Sequence, residues 1–257
     1  MIESIRSIIL DFQEFSLETG GFPEVAGLDR RLRIKIHQEY VEAVLFRDLI
    51  ERHNISHPKA LTDLAHRLID NISSLYSVNS LTGYLKSLGH NAPKSAVSDY
   101  LQWFEDAYFL FTVPLFDASV ARSKANPKKI YCVDHALVPS IASGILLNAG
   151  HLLENLVFSA LRRCSDHIFY SKTKSGHEVD FVVPQQDHSV WLIQACKSLV
   201  DPKTRNREVD ALGEAMSEMG MDSGLIVTRA EEDEIRTGSG SIKVVPAWRF
   251  LLDMPES

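Results

Sequence analysis

Apolar residues recur at helical spacing through the first part of the chain. The stripe from Ile5 to Phe15 predicts an amphipathic helix over residues 1–18. Residues 28–52 and 58–74 show the same spacing with charged residues of both signs between the apolar positions. This pattern predicts two long helices, so we expect a mostly helical N-terminal region.

The pattern changes within residues 58–133. Apolar spacing predicts a short helix over 78–88, and Pro93 is well suited to open the next helix. Residues 108–113 and 130–133 have the aromatic and β-branched composition of two strands, with a polar loop between them. Helix, turn, helix and hairpin in this order predict a winged helix.

A different pattern begins near residue 147. It predicts a helix, three short strands, a second helix, a fourth strand, and finally a strand with a capping helix. The corresponding residues are 150–164, 167–171, 178–184, 190–196, 204–219, 224–228 and 241–253. This order predicts an α/β sandwich. We therefore expect a helical region at 1–146 that includes the winged helix and an α/β domain at 147–257, giving an α/β class that is α+β overall.

Composition narrows the functional classes. The chain has 257 residues and a formal net charge of −7, and acidic side chains outnumber basic ones in both halves. Bulk charge therefore argues against a protein that coats nucleic acid, and any such binding needs a local patch. Three widely spaced cysteines without a CxxC pair, no apolar run of membrane-spanning length and no signal-peptide pattern favour a cytoplasmic protein without a membrane partner.

Phosphate-binding glycine loops are absent from the sequence. It contains neither GxxxxGK[ST] nor GxGxxG. Without such a loop to aim backbone N–H groups at phosphates, we expect no ATP hydrolysis by this chain.

The strongest candidate chemistry is a metal-dependent phosphodiesterase site. Glu154 lies on a predicted helix, Asp180 on a predicted strand and Lys197 at the end of the next strand. Carboxylates in this order can hold Mg²⁺ against a phosphate, and a lysine can polarise water or steady the charged transition state. Glu154, Asp180 and Lys197 are thus the candidate catalytic residues of a PD-(D/E)xK-type fold, with Asp180 and Glu154 as candidate metal ligands.

One position departs from that pattern. Counting back two residues from Lys197 places Ala195 where a second acid is expected, and alanine cannot bind a metal. The same counting predicts that Gln194 points to the opposite face of the strand. The site is therefore predicted to be depleted, and Asp180 and Lys197 are also compatible with ordinary solvated groups.

Candidate nucleic-acid contacts come from the predicted winged helix. The presumed recognition helix, residues 93–107, exposes Lys94 but is otherwise not basic, which argues against tight major-groove binding. Cations collect instead in the predicted hairpin tip, at Arg122, Lys124, Lys128 and Lys129. Such a tip could clamp phosphates, and a solvated loop is the alternative.

Several short segments occur together in an order that resembles a known family. They are Gly20–Glu24, Phe46–Leu49, Pro127–Tyr131 with Asp134, Leu153–Asn155, Glu178–Phe181 and Asp201–Arg205. Together they resemble the C-terminal region of prokaryotic AAA-type ATPases that carry a domain of unknown function after the ATPase module. The resemblance implies a winged helix followed by a nuclease-like domain, with an ATPase module preceding them in the family.

Three functional hypotheses follow. The first is a DNA- or partner-binding accessory region of an AAA-type ATPase with a degenerate nuclease-like fold. The second is a Mg²⁺-dependent DNA endonuclease. The third is an assembly module that forms homo-oligomers through the long helices at 28–52 and 58–74.

Overall fold

The computed structural model describes residues 19–125, 127–142, 148–187 and 189–254. Within these ranges the chain is a mixed α/β protein with two sheets, which agrees with the predicted class. The helix predicted over residues 1–18 lies outside the described residues. In the described part of the chain, no helix is both long and apolar enough to cross a membrane.

Helices and strands alternate along most of the chain. The helices are α1 (Arg30–Ala43), α2 (Pro58–Ile69), α3 (Val78–Ser87), α4 (Lys94–Asp106), α5 (Val120–Ala125), α6 (Leu137–Ile141), α7 (Ala149–Cys164), α8 (Pro202–Met219) and α9 (Ala247–Asp253). The strands are β1 (Leu75–Tyr76), β2 (Leu110–Val113), β3 (Lys128–Cys132), β4 (Phe169–Lys172), β5 (Glu178–Pro184), β6 (Val190–Ala195), β7 (Ser223–Thr228), β8 (Asp233–Thr237) and β9 (Gly240–Pro246). A short 3-10 turn covers Pro23–Val25, and a π-helical segment, Val44–Glu51, continues α1.

The chain divides into two compact units. Among the described residues, the N-terminal unit consists of 19–113 and 127–142, and the C-terminal unit consists of 114–125, 148–187 and 189–254. The segment between β2 and β3 therefore belongs to the C-terminal unit, although both strands belong to the other one.

The N-terminal unit packs helices against a small antiparallel sheet of order β1–β3–β2. Asp29 begins α1, because its carboxylate accepts hydrogen bonds from the N–H groups of Arg31 and Leu32. Ser77 and Ser80 form a reciprocal capping box at the start of α3. The largest fully buried side chains of this unit include Leu61, Leu64, Leu68, Phe104, Phe109 and Tyr131.

A turn near the start of the described chain is fixed by one carboxylate. Gly20 has a φ of +77°, and a Cβ there would lie 2.5 Å from the Asp134 carboxylate and 2.6 Å from the Ala136 Cβ. The N–H of Gly21 donates to Asp134 Oδ2 at 2.6 Å. Only glycine fits this conformation and this spacing. The structure thus joins two of the segments that carry the family resemblance.

The C-terminal unit contains a six-stranded sheet of order β4–β5–β6–β7–β9–β8. Strands β6, β7 and β9 are parallel, and the remaining pairs are antiparallel. Helix α8 begins at its cap Asp201, which accepts from the N–H of Thr204 at 2.9 Å, and it ends at Gly220 with a φ of +68°. The apolar face of α8 packs on the sheet through Leu212, Ala215 and Met216.

Residues 114–126 differ from the predicted hairpin tip. Leu115 forms a parallel bridge with Tyr170 of β4, and the segment then continues into α5. The N–H of Phe116 donates to the Tyr170 carbonyl at 2.7 Å, and the N–H of Tyr170 donates to the Pro114 carbonyl at 3.0 Å. Since an edge strand otherwise leaves its backbone groups unpaired, this segment covers the β4 edge of the sheet.

Candidate functional site

The register of the β5–β6 hairpin places Asp180 beside Gln194. Phe181 pairs with Ile193, so the next facing residues of this antiparallel pair are Asp180 and Gln194. The N–H of Asp180 donates to Gln194 Oε1 at 3.1 Å, and the N–H of Ala195 donates to Asp180 Oδ2 at 2.9 Å. Counting back from Lys197 set Gln194 aside in favour of Ala195, whereas the hydrogen bond from the Asp180 N–H brings the Gln194 side chain to Asp180.

Gln194 connects Asp180 to a buried carboxylate on α8. Its Nε2 donates to Glu208 Oε2 at 2.6 Å. The Nε of Arg207 donates to Glu208 Oε1 at 3.1 Å, and the Arg207 Nη2 also contacts that oxygen. Asp180, Gln194 and Glu208 are only 6%, 6% and 4% exposed. We call Asp180, Gln194, Arg207 and Glu208 the polar cluster.

Electrostatics explain why this cluster is stable. The hydrogen bond from Arg207 to Glu208, followed by their charge attraction, raises the pKa of the Arg207 guanidinium above its usual value, and Asp180 adds a smaller attraction. A buried carboxylate is costly unless it is paired and hydrogen-bonded. Here the Gln194 amide and the Arg207 guanidinium donate to the Glu208 carboxylate, and the Ala195 N–H donates to the Asp180 carboxylate.

The other two residues of the predicted site are on α7 and just beyond the end of β6. Glu154 is buried on α7, and Lys197 is exposed just beyond the end of β6. If the acid-x-lysine motif is counted from the residue that faces Asp180, Gln194 takes the position of the acid and Cys196 takes the position of the lysine. Burial raises the pKa of the Cys196 thiol, and its Sγ lies 3.2 Å from the Ser198 carbonyl. Neither side chain can replace a carboxylate or a lysine.

These donors do not fit the Mg²⁺ ion that the resemblance implies. Mg²⁺ prefers several oxygen ligands, and magnesium sites use carboxylates. In the described residues, no group of three or more His, Cys, Asp or Glu side chains could hold a metal ion. The guanidinium of Arg207 and the amide of Gln194 already bind the Glu208 oxygens. We therefore derive no metal-dependent step for this site.

The presumed recognition helix, α4, presents a nearly neutral surface. Lys94 is exposed in the first turn of this helix, and the acidic side chains of Asp99 and Asp106 are exposed further along it. Gln102 donates to Asp106 at 3.0 Å, so part of this face is occupied by an internal hydrogen bond. The exposed pattern agrees with the sequence in having little positive charge.

The four predicted cations of the tip do not form one exposed group. Lys129 is buried in β3, with 2% of its surface exposed, and Lys128 is partly buried at the start of that strand. Arg122 on α5 forms an ion pair with Asp117 at 3.2 Å. The side chain of Lys124 lies outside the described residues. A phosphate clamp would therefore depend on fewer cations than the sequence suggested.

Sequence reasoning missed Gln194, Glu208 and Arg207. The signal for Gln194 was present, because the strand pattern could have been counted from Asp180 across the hairpin instead of back from Lys197. No local motif identifies Glu208 and Arg207. Their role depends on the packing of α8 against the sheet, which only the tertiary structure gives.

Two family profiles match this chain. The family profile described as domain of unknown function DUF4143 matches residues 149–250. An uncharacterized protein of Methanocaldococcus jannaschii is 28% identical over 258 residues, which cover 96% of this chain and 57% of that relative. The chain thus spans little more than half the length of this curated relative. No solved structure matches.

A second family profile, described as domain of unknown function DUF8612, matches residues 11–146. That match covers more than half of the chain. The chain therefore belongs to the DUF8612 family.

Proposed function

We propose that this chain is a non-catalytic accessory region of an AAA-type ATPase, and that it acts by binding a partner through a winged helix and a degenerate nuclease-like domain. The observation that carries the proposal is the polar cluster. The Glu208 carboxylate accepts from Gln194 and Arg207, and the Asp180 carboxylate accepts from the Ala195 N–H, at the place where a nuclease of this type needs acids that can bind a metal. Catalysis there would first have to break hydrogen bonds that stabilise the fold.

The relation to an ATPase rests on the family and on length. Domains of the DUF4143 family are commonly found with AAA ATPases. The sequence has no phosphate-binding loop of its own, and the archaeal relative is considerably longer than this chain. These facts support a region that works beside an ATPase module.

The order of elements supports a winged helix in the N-terminal unit. Helix α2, strand β1, helices α3 and α4 and the β2–β3 pair follow one another as the motif requires. This order favours DNA binding as a second candidate function, with Lys94 as a contact. The nearly neutral face of α4 and the buried Lys129 favour a protein partner over duplex DNA.

A cleavage assay tests the proposal. Wild-type protein and the Asp180→Asn variant are incubated with supercoiled, linear and branched DNA in the presence of Mg²⁺ or Mn²⁺. We expect no cleavage by either protein. Cleavage that is lost in Asp180→Asn would overturn the proposal and support the endonuclease hypothesis. The substitution is mild, since Asn can still accept the hydrogen bond from Ala195 N–H.

A gain-of-function variant tests the register of the site. Gln194→Glu combined with Cys196→Lys restores the acid-x-lysine pattern beside Asp180. Metal-dependent nicking by this variant alone would support a nuclease ancestry with lost chemistry. A salt-sensitive gel shift of the wild-type protein, lost in Lys94→Glu, would support the DNA-binding alternative.

A further inference from the structure

A cavity of about 900 Å³ opens in the C-terminal unit, at the end of the β5–β6 hairpin that lies away from the polar cluster. Its wall includes Pro184, where β5 ends, and Trp191, near the start of β6. Asp180 and Gln194 lie at the opposite ends of the same two strands. The cavity is therefore a separate site from the degenerate nuclease position.

Three aromatic side chains line this cavity. They are Phe116, Phe169 and Trp191. The rings of Phe116 and Phe169 meet edge to face, with centroids 5.5 Å apart. Phe116 is 37% exposed, although its backbone is held to Tyr170 by hydrogen bonds. A solvent-accessible ring on a fixed backbone is a preformed contact surface, because little conformational entropy is lost when a ligand binds.

Acidic residues outnumber basic ones in the described lining of the cavity, where the basic residue is His167. Its lining residues include the carboxylates of Asp166 and Asp187, and among the described residues that line it there is no lysine or arginine. Both acidic residues are exposed. Asp166 forms an ion pair with the guanidinium of Arg162, four residues earlier in the chain. A carboxylate of this rim is therefore already seen to bind a guanidinium.

We propose that this cavity binds an arginine-bearing segment of a protein partner. A guanidinium can stack on the faces of Phe116 or Trp191 while its N–H groups donate to the carboxylates of Asp187 or Asp166. Arginine suits the site better than lysine, because its planar group stacks on rings and donates to carboxylates at the same time. The inference rests on the proposed binding function and names the chemistry of the partner.

The same features disfavour nucleic acid in this cavity. Aromatic rings could stack with bases, but nucleic-acid grooves pair such rings with cations that follow the phosphates. Here the charged groups at the rim are carboxylates, which repel phosphates.

Fluorescence anisotropy with the full chain tests the proposal. The probe is a fluorescein-labelled peptide in which arginine alternates with glycine. The matched peptide carries citrulline, which keeps the shape of arginine without its charge. The cavity variant is Asp166→Asn with Asp187→Asn. The control variant, Asp210→Asn with Asp222→Asn, removes the same charge from exposed positions outside the cavity.

We expect the arginine peptide to bind, and the citrulline peptide to bind about tenfold more weakly. The cavity variant should weaken binding by about tenfold, whereas the control should stay within about twofold of wild type. Phe116→Leu should also weaken binding, because it removes a ring and keeps an apolar side chain.

Equal binding of both peptides, equal effects of the two double variants, or no binding of the arginine peptide would overturn the inference. A labelled single-stranded oligonucleotide whose binding is weakened by the cavity variant would also overturn it. None of these outcomes involves cleavage, so failure of this inference is distinct from discovery of nuclease activity.

Discussion

At one end of the β5–β6 hairpin the carboxylates are buried in a hydrogen-bond network, whereas at the other end they are exposed, with Asp187 accepting from Ser189 and Asp166 paired with Arg162. Helix α8 supplies Glu208 to the polar cluster and Glu214 to the β4–β5 turn. Asp166 and Asp187 at the far end are exposed beside aromatic rings. Carboxylates of the same domain can therefore hold a buried hydrogen-bond network at one end of a hairpin and remain exposed to solvent at the other.

Burial decides the difference between the two ends. A carboxylate removed from water must find donors inside the protein, and its contribution to stability then depends on those donors. An exposed carboxylate keeps its water, so changing it affects stability little but can change binding. Variants of buried and exposed side chains at the two ends of the hairpin should therefore differ in their effect on stability.

Removing the centre of the polar cluster should have the largest effect. Gln194→Leu removes the donor to Glu208 Oε2 and the acceptor of the Asp180 N–H, which should lower the free energy of unfolding by about 2–4 kcal/mol. Urea unfolding followed by tryptophan fluorescence measures the change. Gln102→Leu on the exposed face of α4 is the control. A loss below about 0.5 kcal/mol would show that the cluster is not structural.

Truncating the Phe116 ring beside the cavity should have a moderate effect on stability. Phe116→Ala removes a partly exposed side chain and its edge-to-face contact with Phe169, so we expect a loss of about 1–2 kcal/mol. The same change at Phe46, which is 63% exposed, provides a matched control with a smaller expected loss. If both variants lose the same stability, Phe116 makes no specific packing contribution.

The tie between α8 and the β4–β5 turn should depend on pH. The hydrogen bond from Ser175, with further hydrogen bonds from Thr173 and His177, lowers the pKa of Glu214 to about 2. Because this pKa is depressed on folding, the contribution of the carboxylate is fully present above its unfolded pKa of about 4.5 and is lost as the pH falls toward 2.

Glu214→Gln tests that dependence. We expect the variant to have a lower unfolding midpoint than wild type at neutral pH, and the difference should shrink as the pH falls through that range. Thermal unfolding of both proteins across a pH series measures it. A difference that stays constant down to the lowest pH would assign the effect to packing instead of charge.

Neutralising Asp187 beside the cavity should have the smallest effect on stability. Asp187 Oδ1 accepts from the Ser189 N–H at 2.9 Å, and asparagine can accept the same bond. Asp187→Asn should therefore change the free energy of unfolding by about 0.5 kcal/mol or less. A loss above about 1 kcal/mol would show that Asp187 also stabilises the fold, which would contradict the distinction between the buried and the exposed carboxylates.

The sequence predicted the strands around Asp180 but not which side chains contact it. Asp180 and the two strands around it were predicted from alternation and turn signals, and β5 and β6 lie within one residue of the predicted ranges. The register between them was not predicted, because it depends on the length of the turn and the pairing of the hairpin. Counting from Lys197 assigned the position of the second acid to Ala195, whereas the register of the hairpin places Gln194 beside Asp180.

The segment between β2 and β3 shows a second limit. Its composition, with cations and small polar residues, is typical of an exposed loop. The structure instead pairs Leu115 with Tyr170 at a sheet edge more than fifty residues away along the chain. Such pairing satisfies the edge of another sheet, and no local propensity encodes it.

The sequence alone predicted most of the longer helices and strands and showed no phosphate-binding loop, because hydrophobic periodicity, capping residues and glycine loops act over a few neighbouring positions. It also determined that neither half of the chain is strongly basic. Only the tertiary structure decided which polar residues meet. The contact of Gln194 with Glu208, the burial of Lys129 and the aromatic cavity beside Asp187 all bring together residues from separate elements, and their energies depend on burial and pairing that exist only once the chain has folded.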